Sequence, residues 1–146
     1  MTTVAVALLE REGKVLICRR RNDQAHGGKW EFPGGKVEPR ETPGQAVVRE
    51  LGEELGVFAE AFEEVCRYEY AYPGKPAICL VFFRVDRYAG SPQGAQFADL
   101  KWESSEALPT YDFLEGDERI VRELSEGLHL AATDSPSSRR PTRAFC

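Results

Sequence analysis

Residues 34–57 read GGKVEPRETPGQAVVRELGEELGV, and five carboxylates fall inside this stretch: Glu38, Glu41, Glu50, Glu53 and Glu54. Three of them crowd beside Arg49, and glycines frame the segment. Its ends predict a helix over 43–55. Thr42 is a good N-cap, and Gln45 three residues later completes a capping-box pattern. Pro43 occupies the first helical position, where a missing N–H is harmless. Gly56 follows Leu55 and suits the left-handed residue that ends a helix.

On such a helix Glu50, Glu53 and Glu54 span an arc of about 100°. Val47, Val48, Leu51 and Leu55 form the neighbouring apolar face, which must pack on a sheet. The acids therefore line the edge of the buried face. Ala46 falls within their arc and is small, leaving room beside the carboxylates. Like charges three and four residues apart destabilise a helix by a few tenths of a kcal/mol per pair. Arg49 offsets part of this repulsion, and a divalent cation would offset far more. Clustered carboxylates are hard oxygen ligands suited to Mg²⁺ or Mn²⁺, which usually bridge to substrate phosphates. The glycine pair 34–35 lets backbone approach the same ion or phosphate. The competing reading is an ordinary solvated helix face.

Outward from the helix, the apolar run 4–9 (VAVALL) reads as a strand buried on both faces, and 14–18 (KVLIC) as its return after a turn at Gly13. Residues 19–28 are a polar loop, and 29–32 (KWEF) a short strand leading into Pro33. Two strands are expected over 62–72 and 78–85, a loop over 90–98, and a short strand over 100–102. Ile120, Val121, Leu124 and Leu128 recur at helical spacing, predicting a second helix over 117–130. The last stretch, 131–146, is rich in Ser, Arg and Pro with nothing to bury, and is expected to be a disordered tail. Strands interrupted by two separate helices imply one α+β domain over 1–130, a mixed sheet with a helix on each side.

A chain of 146 residues suits one domain with a real core. The net charge of −5 argues against a duplex nucleic-acid partner, despite the local run Arg19, Arg20, Arg21. Of the four cysteines no two have metal-type spacing, and Cys18 and Cys79 lie in apolar runs, so free thiols in a reducing compartment are expected. The N-terminus has no basic start and only a short apolar run, unlike a signal peptide. No segment approaches the ~20 apolar residues that span a bilayer. The expected location is cytoplasmic.

The stretch resembles the Nudix signature G-x5-E-x7-R-E-U-x-E-E-x-G-U, with U a bulky aliphatic. Gly35, Glu41, Arg49, Glu50, Leu51, Glu53, Glu54, Gly56 and Val57 match every fixed position. KWEFPGGKVEPRETPGQAVVRELGEELG is similar to the bacterial MutT-type subgroup, and the layout is similar from about residue 4 to 128. The resemblance implies a Nudix α/β/α sandwich that hydrolyses a nucleoside diphosphate linked to another group. For MutT-type members it implies conversion of a nucleoside triphosphate to the monophosphate and pyrophosphate, with Mg²⁺ as cofactor and Mn²⁺ as a substitute. By motif position Glu50, Glu53 and Glu54 would hold the metal with the Gly34 carbonyl, and Glu53 or Glu50 would take a proton from water. Arg49 would orient these carboxylates, with Glu41 as its partner and Gly35 and Gly56 as structural positions. Arg20, Phe32, Lys36 and Asp117 would line the nucleotide site. Phe32 reads equally as core, Arg20 and Lys36 as surface charges, and His26 as an exposed loop residue.

Two positions depart from the pattern. MutT-type enzymes that favour 8-oxo-dGTP carry Asn where this chain has Asp117; the branch acting on CTP and modified dCTP carries Asp. Asp117 also reads as a plain helix N-cap. Gln96 stands where the family often has a metal-binding Glu, with Asp99 or Glu103 as substitutes. The resemblance thus implies hydrolysis of oxidised nucleotides such as 8-oxo-dGTP, a nucleotide-pool sanitising role linked to DNA repair, or the same chemistry on CTP or modified dCTP. A non-catalytic nucleotide sensor is the reading of another class, but it would be expected to lack one of the helix glutamates. The implied partner is a nucleoside triphosphate, with no nucleic acid and no membrane, and the protein a monomer or homodimer.

Overall fold

A computed structural model of the chain describes residues 1–127. The tail predicted over 131–146, and the end of the second predicted helix at 128–130, lie outside the described residues. The elements in order are β1 (Thr2–Arg11), β2 (Lys14–Arg19), β3 (Trp30–Glu31), β4 (Gly34–Lys36), α1 (Pro43–Leu55), β5 (Phe58–Tyr70), β6 (Ile78–Ala89), β7 (Asp99–Ser104) and α2 (Glu118–Ser125). Short 3₁₀ turns cover Ser105–Thr110 and Glu115–Asp117.

β1 is the centre of a mixed seven-stranded sheet. Along one edge it runs parallel to β6, from Thr2↔Ile78 to Leu9↔Val85, and β6 pairs antiparallel with the edge strand β5. Along its other edge β1 changes partner. Val4–Val6 pair with β4, whereas only Glu10 and Arg11 pair with β2. β2 is then held by β3 at its far end and by β7 along its opposite edge. β1 and β2 thus diverge like a fork, and residues 30–36 thread between the tines. The Ala7 N–H donates to the Pro33 carbonyl at 2.8 Å, closing the gap on the β1 side.

The run VAVALL is apolar throughout because its two faces serve two cores. Val6 and Leu8 pack with Phe82, Ile120 and Leu124 under α2. Ala5, Ala7 and Leu9 pack with Val47, Leu51 and Leu55 under α1. A helix on each side of a mixed sheet is the α+β arrangement that the alternation of elements predicts. Ala46 differs from expectation: it is fully buried in the α1 core and leaves no open space beside the acids.

The α1 boundaries match the cap signals. Thr42 Oγ1 accepts from the Gln45 N–H at 3.1 Å, the Thr42 N–H donates to Gln45 Oε1 at 2.9 Å, and Gly56 ends the helix at φ 68°. β5 starts at Phe58, four residues before the predicted 62. That first half is an exposed edge whose pairing with β6 is broken by bulges, so FAEAFEE shows no strand periodicity. Cys18 and Cys79 are free. Among the described residues no helix is long and apolar enough to cross a membrane.

Candidate active site

α1 lies against β4, and this contact brings the glycine pair onto the acids. The Gly34 N–H donates to Glu54 Oε1 at 3.1 Å. A side chain at Gly35 would place its Cβ 2.3 Å from Glu50 Oε2, so the Glu50 carboxylate occupies the space that the glycine leaves. At Gly34 a Cβ would fall 2.1 Å from the Ala5 carbonyl oxygen, with φ at 153°. Both glycines are therefore needed: one for the β1–β4 approach, the other for the carboxylate.

Arg49 is the hub of the acidic face. Its Nε and Nη2 grip Glu41 at 2.7 and 2.9 Å, and Nη2 also reaches the Lys36 carbonyl at 3.0 Å. Nη1 donates to Glu50 at 2.9 Å and to Glu53 at 3.2 Å. The bidentate contact holds the Glu41 carboxyl down at about 2, with the Glu38 backbone N–H adding to the effect. Glu54 is moved the opposite way. Burial first, then the neighbouring Glu50 charge, raises its carboxyl to about 8.

These residues fit a hard divalent cation by donor chemistry: carboxylate oxygens, a glycine peptide at their edge, and an excess of negative charge that raises Glu54. No three His, Cys, Asp or Glu side chains yet converge as a finished cage among the described residues. Arg49 Nη1 donates to one oxygen each of Glu50 and Glu53, and the second oxygen of each carboxylate is not on that nitrogen.

Beside the acids, on the α2 side of the sheet, lies a cavity of about 200 Å³. The fork brings Arg20, Phe32, Gly34 and Asp117 together on its lining. Arg20 is braced, with Nε on the Ala25 carbonyl at 2.8 Å and Nη1 on Glu31 at 3.0 Å. Phe32 is buried and stacks on Phe113 at 5.3 Å. Its backbone N–H donates to the Asp117 carboxyl. Lys36 is not on the lining; its residue is exposed at the end of β4.

Asp117 occupies the N-cap position of α2, yet its side chain makes no capping bond there. It is only 6% exposed and faces the cavity, so the plain-cap reading does not hold. Burial, and then the Glu31 charge, pushes its carboxyl up to about 8. The native state thus holds a proton that the unfolded chain releases near pH 4. The stability that this carboxyl contributes falls as pH rises from about 4 to 8. Asp117→Asn is expected to flatten this dependence: its melting temperature should decline less than that of the unchanged protein between pH 5 and pH 8. Parallel declines would refute the burial argument.

The cavity is also lined by His26, Glu31, Tyr72 and Leu114, which the sequence reading did not place there. His26 is an exposed loop residue, as expected, and at φ 56° its ring lies 5.3 Å from Tyr72. The three segments that carry these residues meet only in the folded sheet. Gln96 is exposed in the loop after β6. Asp99 accepts from the Leu100 N–H at 2.8 Å, and Glu103 accepts from the Ser104 N–H and the Tyr111 hydroxyl, so both proposed substitutes are engaged locally.

Residues 1–124 match the model of the NUDIX domain. The chain belongs to the Nudix family. As a Nudix hydrolase it is 38% identical over 122 residues to the 8-oxo-dGTP diphosphatase of Escherichia coli (strain K12), covering 83% of this chain and 94% of that one. It is also 38% identical over 117 residues to the CTP pyrophosphohydrolase of the same organism, covering 80% and 86%. Its fold is similar to the solution structure of the E. coli ORF135 protein, at TM-score 0.75 and 37% identity over 84% of this chain and 86% of that one. A second similar structure is the MutT NUDIX hydrolase from Burkholderia pseudomallei, with TM-score 0.74 and 26% identity, covering 84% and 96%. Nudix hydrolases generally use divalent metal ions.

Proposed function

We propose that this Nudix hydrolase is a Mg²⁺-dependent nucleoside triphosphate pyrophosphohydrolase of MutT type, releasing a monophosphate and pyrophosphate, with oxidised nucleotides such as 8-oxo-dGTP as substrate. The observation that carries the reading is that Gly34, which donates to Glu54 on the acidic face of α1, also lines a cavity with the buried Asp117 carboxyl at its wall. Glu50, Glu53, Glu54 and the Gly34 carbonyl would hold the ion, which would supply charge neutralisation and a more acidic water. Glu53 accepts the water's proton, with Glu50 the other candidate for that role. Arg49, itself fixed by Glu41, orients these carboxylates. Arg20, Phe32 and Asp117 receive the nucleoside, and Lys36 faces the phosphates from outside.

Protonated Asp117 offers one O–H donor and keeps an acceptor, much as an Asn would. That favours a purine edge presenting both kinds of group. The 38% identity to a CTP pyrophosphohydrolase favours a second reading: the same chemistry on CTP or modified dCTP, with Asp117 accepting from the exocyclic amine. We place residues 1–130 in the hydrolase domain, and the protein in the cytoplasm as a monomer or homodimer acting on free nucleotides rather than nucleic acid or membranes.

The test is pyrophosphate release with Mg²⁺, comparing kcat/KM for 8-oxo-dGTP, dGTP, CTP, dCTP and 5-methyl-dCTP in one panel. The expected result is a lead of at least tenfold for 8-oxo-dGTP. A lead for the cytosine nucleotides selects the second reading. No turnover of any of the five overturns both.

A further inference from the structure

Gly116 immediately precedes the buried Asp117, and its N–H and its carbonyl are each held by a tyrosine hydroxyl. The Tyr68 hydroxyl donates to the Gly116 carbonyl at 2.7 Å. The Gly116 N–H donates to the Tyr72 hydroxyl at 3.1 Å. A Cβ at residue 116 would lie 2.9 Å from the Tyr72 oxygen, so only glycine lets the phenol approach this closely.

The two tyrosines differ in what else they touch. Tyr68 is buried, stacked on Phe82 at 5.3 Å, and its oxygen also lies 3.4 Å from the Ile120 N–H at the start of α2. It belongs to the core. Tyr72 sits just beyond the end of β5, and its ring lines the same cavity as Asp117. Tyr70 packs edge-on against that ring at 4.8 Å, and the His26 ring lies on it at 5.3 Å from the loop after β2. One side chain thus forms cavity wall, meets the His26 ring, and accepts from the N–H of the residue that precedes the buried acid.

We propose that Tyr72 is a specificity-determining residue of this hydrolase: its ring walls the base cavity and its hydroxyl, through Gly116, sets the position from which Asp117 meets the base. The inference rests on the nucleotide reading above. Loss of the hydroxyl frees the Gly116 N–H and lets residue 117 shift, while the ring and the wall remain. A hydrogen bond of ordinary strength is worth up to about a tenfold change in an equilibrium. That change acts on the contact between Asp117 and the base, so it differs from one base to another.

The experiment is calorimetric binding of 8-oxo-dGMP, dGMP and dCMP to the unchanged protein, Tyr72→Phe, Asp117→Asn and the double variant, each checked by thermal melting. In Tyr72→Phe the ratio of Kd between the tightest and weakest mononucleotide should shrink about tenfold. In the Asp117→Asn background the same substitution should alter that ratio less than twofold, because the two residues act through one contact. Equal weakening of all three mononucleotides by Tyr72→Phe would overturn the assignment, as would a full effect in the Asp117→Asn background. If the unchanged protein discriminates and Tyr72→Phe discriminates equally, the Tyr72 assignment alone falls. If the unchanged protein binds none of the three, the substrate reading falls and takes this inference with it.

Discussion

Glu53→Gln is expected to lower pyrophosphate release from the preferred triphosphate by at least ~100-fold, the usual scale for removing a general base. The fold should persist. The Glu53 side chain is 62% exposed and meets Arg49 Nη1 at 3.2 Å, so neither core nor sheet depends on its charge. Gln keeps the length and one oxygen but cannot take a proton near neutral pH. Rates and melting temperatures measured side by side give the answer. Activity within a few-fold of the unchanged protein, with an unchanged melt, would remove Glu53 from the proton-transfer role.

Arg49→Lys is expected to reduce activity, or the affinity for the divalent ion, by about 10- to 100-fold, as seen when a group that orients metal ligands is lost. The substitution keeps the positive charge, so a simple charge argument predicts little change. The geometry predicts otherwise. The guanidinium serves Glu41 through two nitrogens, Glu50 and Glu53 through a third contact point, and the Lys36 carbonyl as well. An ammonium has three donors and no planar fork, so it cannot hold Glu41 bidentately and still reach the other acids. A Mg²⁺ titration of rate separates the two effects. A curve that shifts to higher metal concentration means misplaced ligands; a lower plateau means a misplaced proton acceptor. An unchanged curve would show that Arg49 serves only to balance charge.

The acidic helix α1 was legible because its information is local. Caps, the apolar stripe and the acidic arc all lie within 24 residues of each other in the chain, and α1 starts and ends where Thr42, Pro43 and Gly56 say it should. The alternation of strands and helices likewise gave the α+β sandwich, and VAVALL showed that β1 is covered on both sides. The cavity was only half legible. Phe32 and Asp117 were named, but through family resemblance, and Asp117 also fitted a helix cap. Tyr72, His26 and Leu114 come from three loops with no common pattern, and only the forked sheet brings them together. Gly116 offered no signal either, since its role is set by two hydroxyls 44 and 48 residues away.

The fork between β1 and β2 has a consequence for how such a protein changes over generations. The acids lie on α1 and their glycines on β4, which is held close against β1 at Gly34 and Gly35. The cavity shares Val4, Val6 and Gly34 with that frame, but Arg20, His26, Tyr72, Leu114 and Asp117 reach it from segments outside the strands. Under the proposed function, mutations in those segments would alter which base is admitted without touching the acidic face of α1. Substrate preference can therefore drift, duplicate and specialise while the reaction itself is inherited unchanged.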